Sequence, residues 1–394
     1  MVQTRSSGHV AVAGVSQVGY RHITDLSFPE MIFEASRLAL DDAGLSPGDV
    51  DCVFFGSGPE FFVGVNYPEM WCADAALGPG RPFARVHTGG TVGMATFAAA
   101  YYAVASGEYK VCLAVSGDKL TEGSVQAGLA TVANPLYNRR FSAGAVGGAG
   151  LGFREIMARK GHTLDDATKI AVKQRRNALK NPHAHLRMED ITEEKVRNSR
   201  VISEPLRLLD SCPTSDGAAA MILVREEAAD SLGKDVAWVR GVAACAEDSA
   251  WPGRDNVDRP EALLNAAKRA YARAGIKNPA DEIDVFEFYD PFSYMEYLFL
   301  EYFGLASSPE EARELVHSGE TGISGSIPAG ASGGVLSANT IGCAAMARAV
   351  EAVLQVTGKA GDHQVAGAKT SLAHGWGGTF QFHVVAIFSK EKPE

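Results

Sequence analysis

The stretch Val86 to Phe97, VHTGGTVGMATF, turns from a strand-like run into an alanine-rich helical pattern through the adjacent glycines Gly89 and Gly90. A sharp strand-to-helix turn is a place where enzymes hold out a nucleophile, and this one carries none. Other residues able to move protons or polarise a carbonyl lie downstream. Tyrosines at 289, 294, 297 and 302 pass from a strand end into a helical pattern, Asn339 precedes the apolar run Ile341 to Val350, and His374 introduces a glycine cluster. A phenol with an ordinary pKa of about 10 is a poor base and an easier proton donor. The helical spacing of Tyr297 and Tyr302 reads as packing. His374 is either an acid or base or a ring satisfying backbone groups. Asn339 either donates a neutral hydrogen bond to substrate or caps a helix. His87 reads as structural.

The six cysteines, at 52, 72, 112, 212, 245 and 343, form no CxxC pair and no close Cys/His group. That spacing argues against structural zinc or a secreted disulfide framework, and no metal is expected. Cys52 and Cys112, inside apolar strand-like runs, read as small buried thiols.

The elements that must position these residues come in two copies. Ser27-Phe28-Pro29-Glu30 is an S-x-x-E capping box with proline in the first turn; the helix it starts ends at Ala43-Gly44, and Asp51 to Gly56 reads as a buried strand. Downstream, a helix closing at Ala274-Gly275 and a strand from Ile283 to Phe288 repeat the arrangement. A second repeated pair is Thr91 to Ser106 with the strand YKVCLAVSG, matched by Ala338 to Gln355 with FHVVAIF. The predicted fold class is α/β: two mixed sheets with helices between and outside them. The expected division is an N-terminal half over 1–120, with its last strand from about 216–230, an inserted loop domain over 121–235, and a C-terminal half over 236–394.

With 394 residues, 46% of them hydrophobic, the chain can build a large core; its net charge of −10 disfavours a general nucleic-acid or membrane-surface role. No stretch approaches the roughly 18 apolar residues of a membrane helix, and no secretory leader is apparent, so no membrane insertion and a cytoplasmic location are expected.

The blocks NALKNPHAH, PLRLLDSCPTSDGAAA, EFYDPFSYMEY, ASGGVLSANTIG and HGWGGTF, in this order on duplicated halves, resemble the thiolase superfamily, in its sterol-carrier-protein-X-like, lipid-transfer branch. The resemblance covers nearly the whole chain. Relatives that perform thiolysis carry a cysteine at the elbow, a His-Asp-Cys-Phe block, a Gly-His-Pro block and often a cysteine near the terminal glycines. Here Gly90 stands at the nucleophile's position, Tyr289-Asp290-Pro291-Phe292 replaces the first block, Asn339 stands for the second histidine, and His374 introduces the glycines. A glycine cannot form a thioester, so thiolysis is not expected. Backbone N–H groups at Gly90 and at Gly378 among the terminal glycines can still hold a thioester oxygen.

The resemblance to side-chain-cleaving aldolases of bacterial steroid degradation implies retro-aldol cleavage of a steroid 17-hydroxy acyl-CoA to a 17-ketosteroid and propanoyl-CoA. No cofactor is implied beyond the CoA of the acyl-CoA substrate and product. Tyr294, which precedes the relatives' asparagine position, is the candidate for proton transfer, and Tyr289, replacing a histidine, for hydrogen bonding or orienting substrate. Phe61, Phe62, Tyr67, Trp71 and Trp251 are candidates for a sterol pocket or for core. The resemblance further implies a small partner protein with a zinc ribbon and an OB-like domain, and a homodimer paired through the first-half sheet, for which YKVCLAV is the expected edge. Two alternatives stand beside this reading: a thiolase using a displaced cysteine such as Cys72 or Cys343, and a noncatalytic acyl-CoA- or lipid-binding scaffold.

Overall fold

The structure is a computed structural model that describes residues 8–23, 25–137, 139–141, 144–248 and 258–393. Trp251 lies outside the described residues. Nine strands form one sheet in the order β3-β2-β4-β7-β1-β8-β11-β10-β9: β1 (Val10–Arg21), β2 (Cys52–Gly56), β3 (Phe83–Val86), β4 (Val111–Asp118), β7 (Asp216–Arg225), β8 (Ala237–Ala246), β9 (Val285–Glu287), β10 (Thr370–Gly377) and β11 (Phe382–Ser389). Short β5 (Val201–Ser203) and β6 (Leu206–Arg207) pair with each other.

The two mixed sheets expected from the sequence are the halves of this one sheet. They join edge to edge where Ala11 and Val12 of β1 face Trp238 and Ala237 of β8. Within each half the pairing repeats. β1 is antiparallel to β7, β7 to β4, and β4 runs parallel to β2; likewise β8 is antiparallel to β11, β11 to β10, and β10 runs parallel to β9. The parallel bridge between Phe286 and Ala329 occupies the place that β3 takes beside β2.

The capping box is formed as expected: Ser27 and Glu30 cap α1 (Phe28–Ala43), and Gly44 ends it in the left-handed region at φ 70°. α1 packs its buried face, Met31, Ile32, Ala35 and Ala39 among others, on the outer side of the first half. Completely buried Ile32 should cost about 2–5 kcal/mol if truncated to alanine.

Alanine-rich α2 (Val92–Ala105) lies between the sheet halves, where an all-round apolar helix belongs. The inserted segment supplies α3 (Gly144–Lys160) and α4 (Leu164–Ala178), and α5 (Glu261–Ala274) covers the second half on its outside as α1 covers the first. Tyr294 caps α6 (Met295–Tyr302). The second inner helix is α7 (Gly342–Val356), whose buried Arg348 pairs with Glu287 at 2.5 Å and whose Glu351 pairs with His363 at 2.8 Å. Such pairing is what makes these buried charges tolerable. α2 and α7 cross at Gly93, where a Cβ would lie 2.3 Å from Met346 N.

Two expectations are corrected. YKVCLAV is not an edge: β4 lies between β2 and β7, and the free edge of the first half is β3. The helix expected from Ala338 begins only at Gly342, because Ile341 takes φ 57° and breaks the helical path before it.

Candidate active site

The parallel strands of each half end toward a common cavity, the usual place for ligands in open α/β sheets. The elbow after β3 and the loop after β10 touch there. A Cβ on Gly377 would lie 2.6 Å from Gly90 N and 2.5 Å from Thr91 N, and one on Gly89 would lie 2.8 Å from Gly378 N. Gly378 itself adopts φ 68°, which glycine holds without strain. Neither the Gly90 nor the Gly378 amide donates a backbone hydrogen bond among the described residues. Amides without backbone acceptors at a cavity wall suit an oxygen that gains negative charge.

The loop before α7 supplies the facing wall. Ile341 is β-branched and left-handed, a conformation costing on the order of 1–3 kcal/mol. Two side chains hold it there: Asn339 Oδ1 accepts from Ile341 N at 2.8 Å, and the Tyr289 hydroxyl donates to Ile341 O at 3.0 Å. Asn339 thus caps its own turn, and its Nδ2 donates to Cys212 Sγ at 2.9 Å. Behind this loop the buried Asp118 carboxylate accepts from Gly58 N at 2.6 Å, Ser57 Oγ at 3.1 Å and Cys343 N at 3.1 Å, while burial pushes its pKa up to about 7.

Tyr289 also reaches the elbow. A Cβ built on Gly90 would sit 3.5 Å from the Tyr289 hydroxyl and 3.0 Å from Trp376 O. Trp376 Nε1 donates to Tyr289 O at 2.8 Å, locking the two walls together.

The cavity these residues border has a volume of about 810 Å³. His87, Gly90, Cys212, Tyr289, Tyr294, Asn339 and Gly378 line it, with Phe62, Phe292, Trp376, Phe380 and one face of α3 forming much of the apolar wall. Tyr294 is stacked on Phe153 at 4.6 Å between ring centres and 4° between planes, and its hydroxyl has no hydrogen-bond partner among the described residues. Burial raises the pKa of both Tyr294 and Tyr289 above the ordinary phenol, so each is a neutral donor. Neighbouring protein atoms at the rim, and then the Arg85 guanidinium, lower the pKa of His87, even though the residue is exposed.

Of the sequence candidates, Tyr289, Tyr294, Asn339, Gly90 and Gly378 are brought together, and His374 is not. It is fully buried in an aromatic layer, 5.0 Å from Phe299 and 5.3 Å from Phe303 between ring centres, with Nε2 3.4 Å from His383 Nδ1. Tyr297 packs as expected and donates to Asp166 O at 3.2 Å, whereas Tyr302, also assigned to packing, lines the cavity. Phe62 lines it too, but Phe61, Tyr67 and Trp71 are exposed elsewhere.

Cys72 and Cys343 are buried outside the cavity, and burial pushes the Cys72 thiol up to about 12. The cysteine that does reach the cavity is Cys212, with a pKa pushed up to about 11 by burial. It stood in the conspicuous block PLRLLDSCPTSDGAAA, whose order pointed to the fold but not to which side chain faces inward. The glycine-rich run in α3 was a second unread signal. Among the described residues no group of three His, Cys, Asp or Glu side chains is placed to hold a metal ion, and no helix is long and apolar enough to cross a membrane.

The N-terminal domain of thiolase matches residues 10–227, and the thiolase C-terminal domain-like family matches residues 246–390. The chain belongs to the thiolase superfamily, in its sterol-carrier-protein-X-like branch, with steroid side-chain-cleaving aldolases among its relatives. It is 33% identical to an acetyl-CoA acetyltransferase of Methanothermobacter thermautotrophicus, over 97% of this chain and 99% of that protein. It is 29% identical to the 17-hydroxy-3-oxo-4-pregnene-20-carboxyl-CoA lyase of Mycobacterium tuberculosis, over 84% of this chain and 87% of the lyase. The solved "Ltp2-ChsH2(DUF35) aldolase" superposes with a TM-score of 0.84 at 26% identity, covering 98% of this chain and all of that one.

Proposed function

We propose that this protein is a carbon–carbon lyase that cleaves a steroid 3-hydroxyacyl-CoA, bearing its hydroxyl at ring position 17, to a 17-ketosteroid and propanoyl-CoA. The observation that carries the reading is the elbow: Gly90 replaces the nucleophile while its amide and that of Gly378 remain without backbone acceptors. Retro-aldol cleavage needs that arrangement and no covalent intermediate. The substrate hydroxyl gives its proton to His87, whose lowered pKa keeps it neutral at pH 7. The C–C bond electrons pass to the thioester, forming an enolate whose oxygen the Gly90 and Gly378 amides hold. Tyr294 protonates the enolate carbon, and the His87 imidazolium returns a proton to the tyrosinate, closing the cycle. Tyr289 and Asn339 position the wall by fixing Ile341.

The same reading includes a homodimer paired through β3, the free edge of the first half. It also includes a small partner protein with a zinc ribbon and an OB-like domain; the solved aldolase that carries a DUF35 component supports such an association. The test is incubation of the purified protein, alone and with its partner, with a steroid 17-hydroxy acyl-CoA, following ketosteroid and propanoyl-CoA together. Equal release of both supports the reading, and absence of either from the complex overturns it.

One observation favours a second reading. Cys212 lies in the cavity beside Asn339, and one relative is an acetyl-CoA acetyltransferase. Burial keeps this thiol protonated, which is the physical argument against it.

A further inference from the structure

The glycines of α3 differ in what holds them as glycine. Gly144 takes φ 70°, and a Cβ on Gly150 would lie 2.4 Å from Ser203 Oγ, so the fold explains both. Gly148 and Gly152 have no such reason. Neither has a positive φ; a Cβ on Gly148 meets nothing within 4 Å, and one on Gly152 meets only the Tyr294 hydroxyl, at 3.4 Å. Glycine is among the poorest residues for a helix interior, yet these two stand one turn apart on one face, and that face lines the cavity. Their missing side chains widen the cavity along this face.

A second, independent observation comes from α6. Tyr294 and Tyr302 are 7% and 6% exposed and both line the cavity, and the Tyr302 hydroxyl is buried with no hydrogen-bond partner among the described residues. A buried, unbonded hydroxyl is unfavourable unless a ligand satisfies it. The Tyr302 ring is itself held from behind, with Lys160 Nζ 5.5 Å from its centre and paired to Glu301 at 2.7 Å. The near-parallel rings of Phe153, Tyr294 and Phe292, tilted 4° and 17° from neighbour to neighbour, stack in a column that fixes the Tyr294 ring at the cavity wall. Tyr302 stands eight positions after Tyr294, about 12 Å along the axis, so one ligand serving both must be at least that long.

We propose that the Gly148–Gly152 face of α3 and Tyr302 of α6 form the subsite for the far part of the acyl group: a flat, rigid fused-ring body lies against the glycine face, and the Tyr302 hydroxyl donates to an oxygen at its distal end. Gly148 sets the width of the slot and Tyr302 reads the oxygen. This inference rests on the acyl-CoA lyase reading for what the ring is attached to. Burial raises the Tyr302 pKa well above the ordinary phenol, which keeps it a donor.

The experiment separates the two. A neutral ketosteroid with a distal ring ketone, and its analogue lacking that ketone, are titrated into the wild-type complex, Gly148→Leu and Tyr302→Phe. Separately, KM is measured for a ring-bearing and a short aliphatic 3-hydroxyacyl-CoA. Leucine suits a helix and meets no protein atom at its Cβ, so Gly148→Leu should fold. The expected results are at least about tenfold weaker ketosteroid binding in Gly148→Leu, and in Tyr302→Phe a loss of roughly tenfold for the ketone but none for its analogue. The ratio of ring-bearing to short-chain KM should rise by at least about tenfold in Gly148→Leu with little change in kcat. If no acyl-CoA is cleaved yet ketosteroid binding follows this pattern, the subsite stands and the lyase reading falls. If cleavage proceeds but both variants bind ketone and analogue as wild type does, the subsite is wrong.

Discussion

In the first half the chain leaves β3, turns through Gly89 and Gly90 and enters α2; in the second half the corresponding inner helix, α7, is entered through Asn339, Thr340 and Ile341. The helices are alike, buried between the sheet halves and crossing at Gly93. Their entrances are opposites. The first is stripped to backbone and offers amides, while the second is crowded with side chains that bond one another, Asn339 to Cys212 and Ile341, and Tyr289 to Ile341. A duplicated unit has been divided into a bare pole of backbone amides and a rigid pole of bonded side chains at the cavity.

The largest expected effect lies between the poles. Tyr294→Phe removes an unbonded hydroxyl, so stability should change by no more than about 1 kcal/mol while turnover falls on the order of a hundredfold to ten-thousandfold. Chemical denaturation and product assay on the same preparation check this, and wild-type turnover in the variant would move proton transfer to another group. The acceptor has a pH signature. His87 must be neutral, and its pKa is lowered, so kcat/KM should hold at pH 7 and fall only below about pH 6.5, the ordinary histidine value. A pH–rate profile measures it, and His87→Gln should abolish that acid limb.

Filling the bare pole gives a smaller effect. Gly90→Cys places a Cβ 3.0 Å from Trp376 O, so lyase turnover should fall about tenfold, and CoA-dependent thiolysis should not appear because the partners that would activate the thiol are Tyr289 and Asn339. Appearance of thiolysis would show that the second pole retains thiolase chemistry.

His374→Phe should leave turnover per folded molecule as it was and change stability with pH instead. The fold keeps this ring neutral, with a pKa well below the ordinary value because of burial and then His383. Below about pH 6.5 the unfolded chain gains a proton the native ring refuses, so wild-type stability falls as pH drops, by up to about 1.4 kcal/mol per pH unit from this group. Denaturation midpoints across pH 5–7 should show a shallower slope in the variant. Smallest of all, Tyr297→Phe should cost about 1 kcal/mol through its bond to Asp166 O and leave the rate unchanged.

The duplicated elements were legible because their signals are local: the Ser27–Glu30 box, Gly44 and Gly275 as left-handed stops, and apolar strands such as Asp216 to Arg225. The glycine elbow was legible too, since Gly89 and Gly90 stand plainly between the strand and the helix. Facing was not. His374 and Gly378 lie four residues apart, yet one enters an aromatic layer and the other the cavity. Tyr297 and Tyr302 lie five residues apart in α6, about 140° around the helix, so one turns to Asp166 and the other to the pocket, and sequence does not say which. The start of α7 was misread because nothing in Asn339-Thr340-Ile341 announces a left-handed isoleucine, which long-range bonds from Tyr289 sustain.

The central claim is cleavage without a covalent intermediate, and intact-protein mass spectrometry of the complex, acid-quenched during steady turnover of the steroid 17-hydroxy acyl-CoA, tests it most directly. The account predicts an unchanged protein mass in samples that have already released ketosteroid and propanoyl-CoA. A population heavier by an acyl group, lost on Cys212→Ala together with turnover, would contradict it.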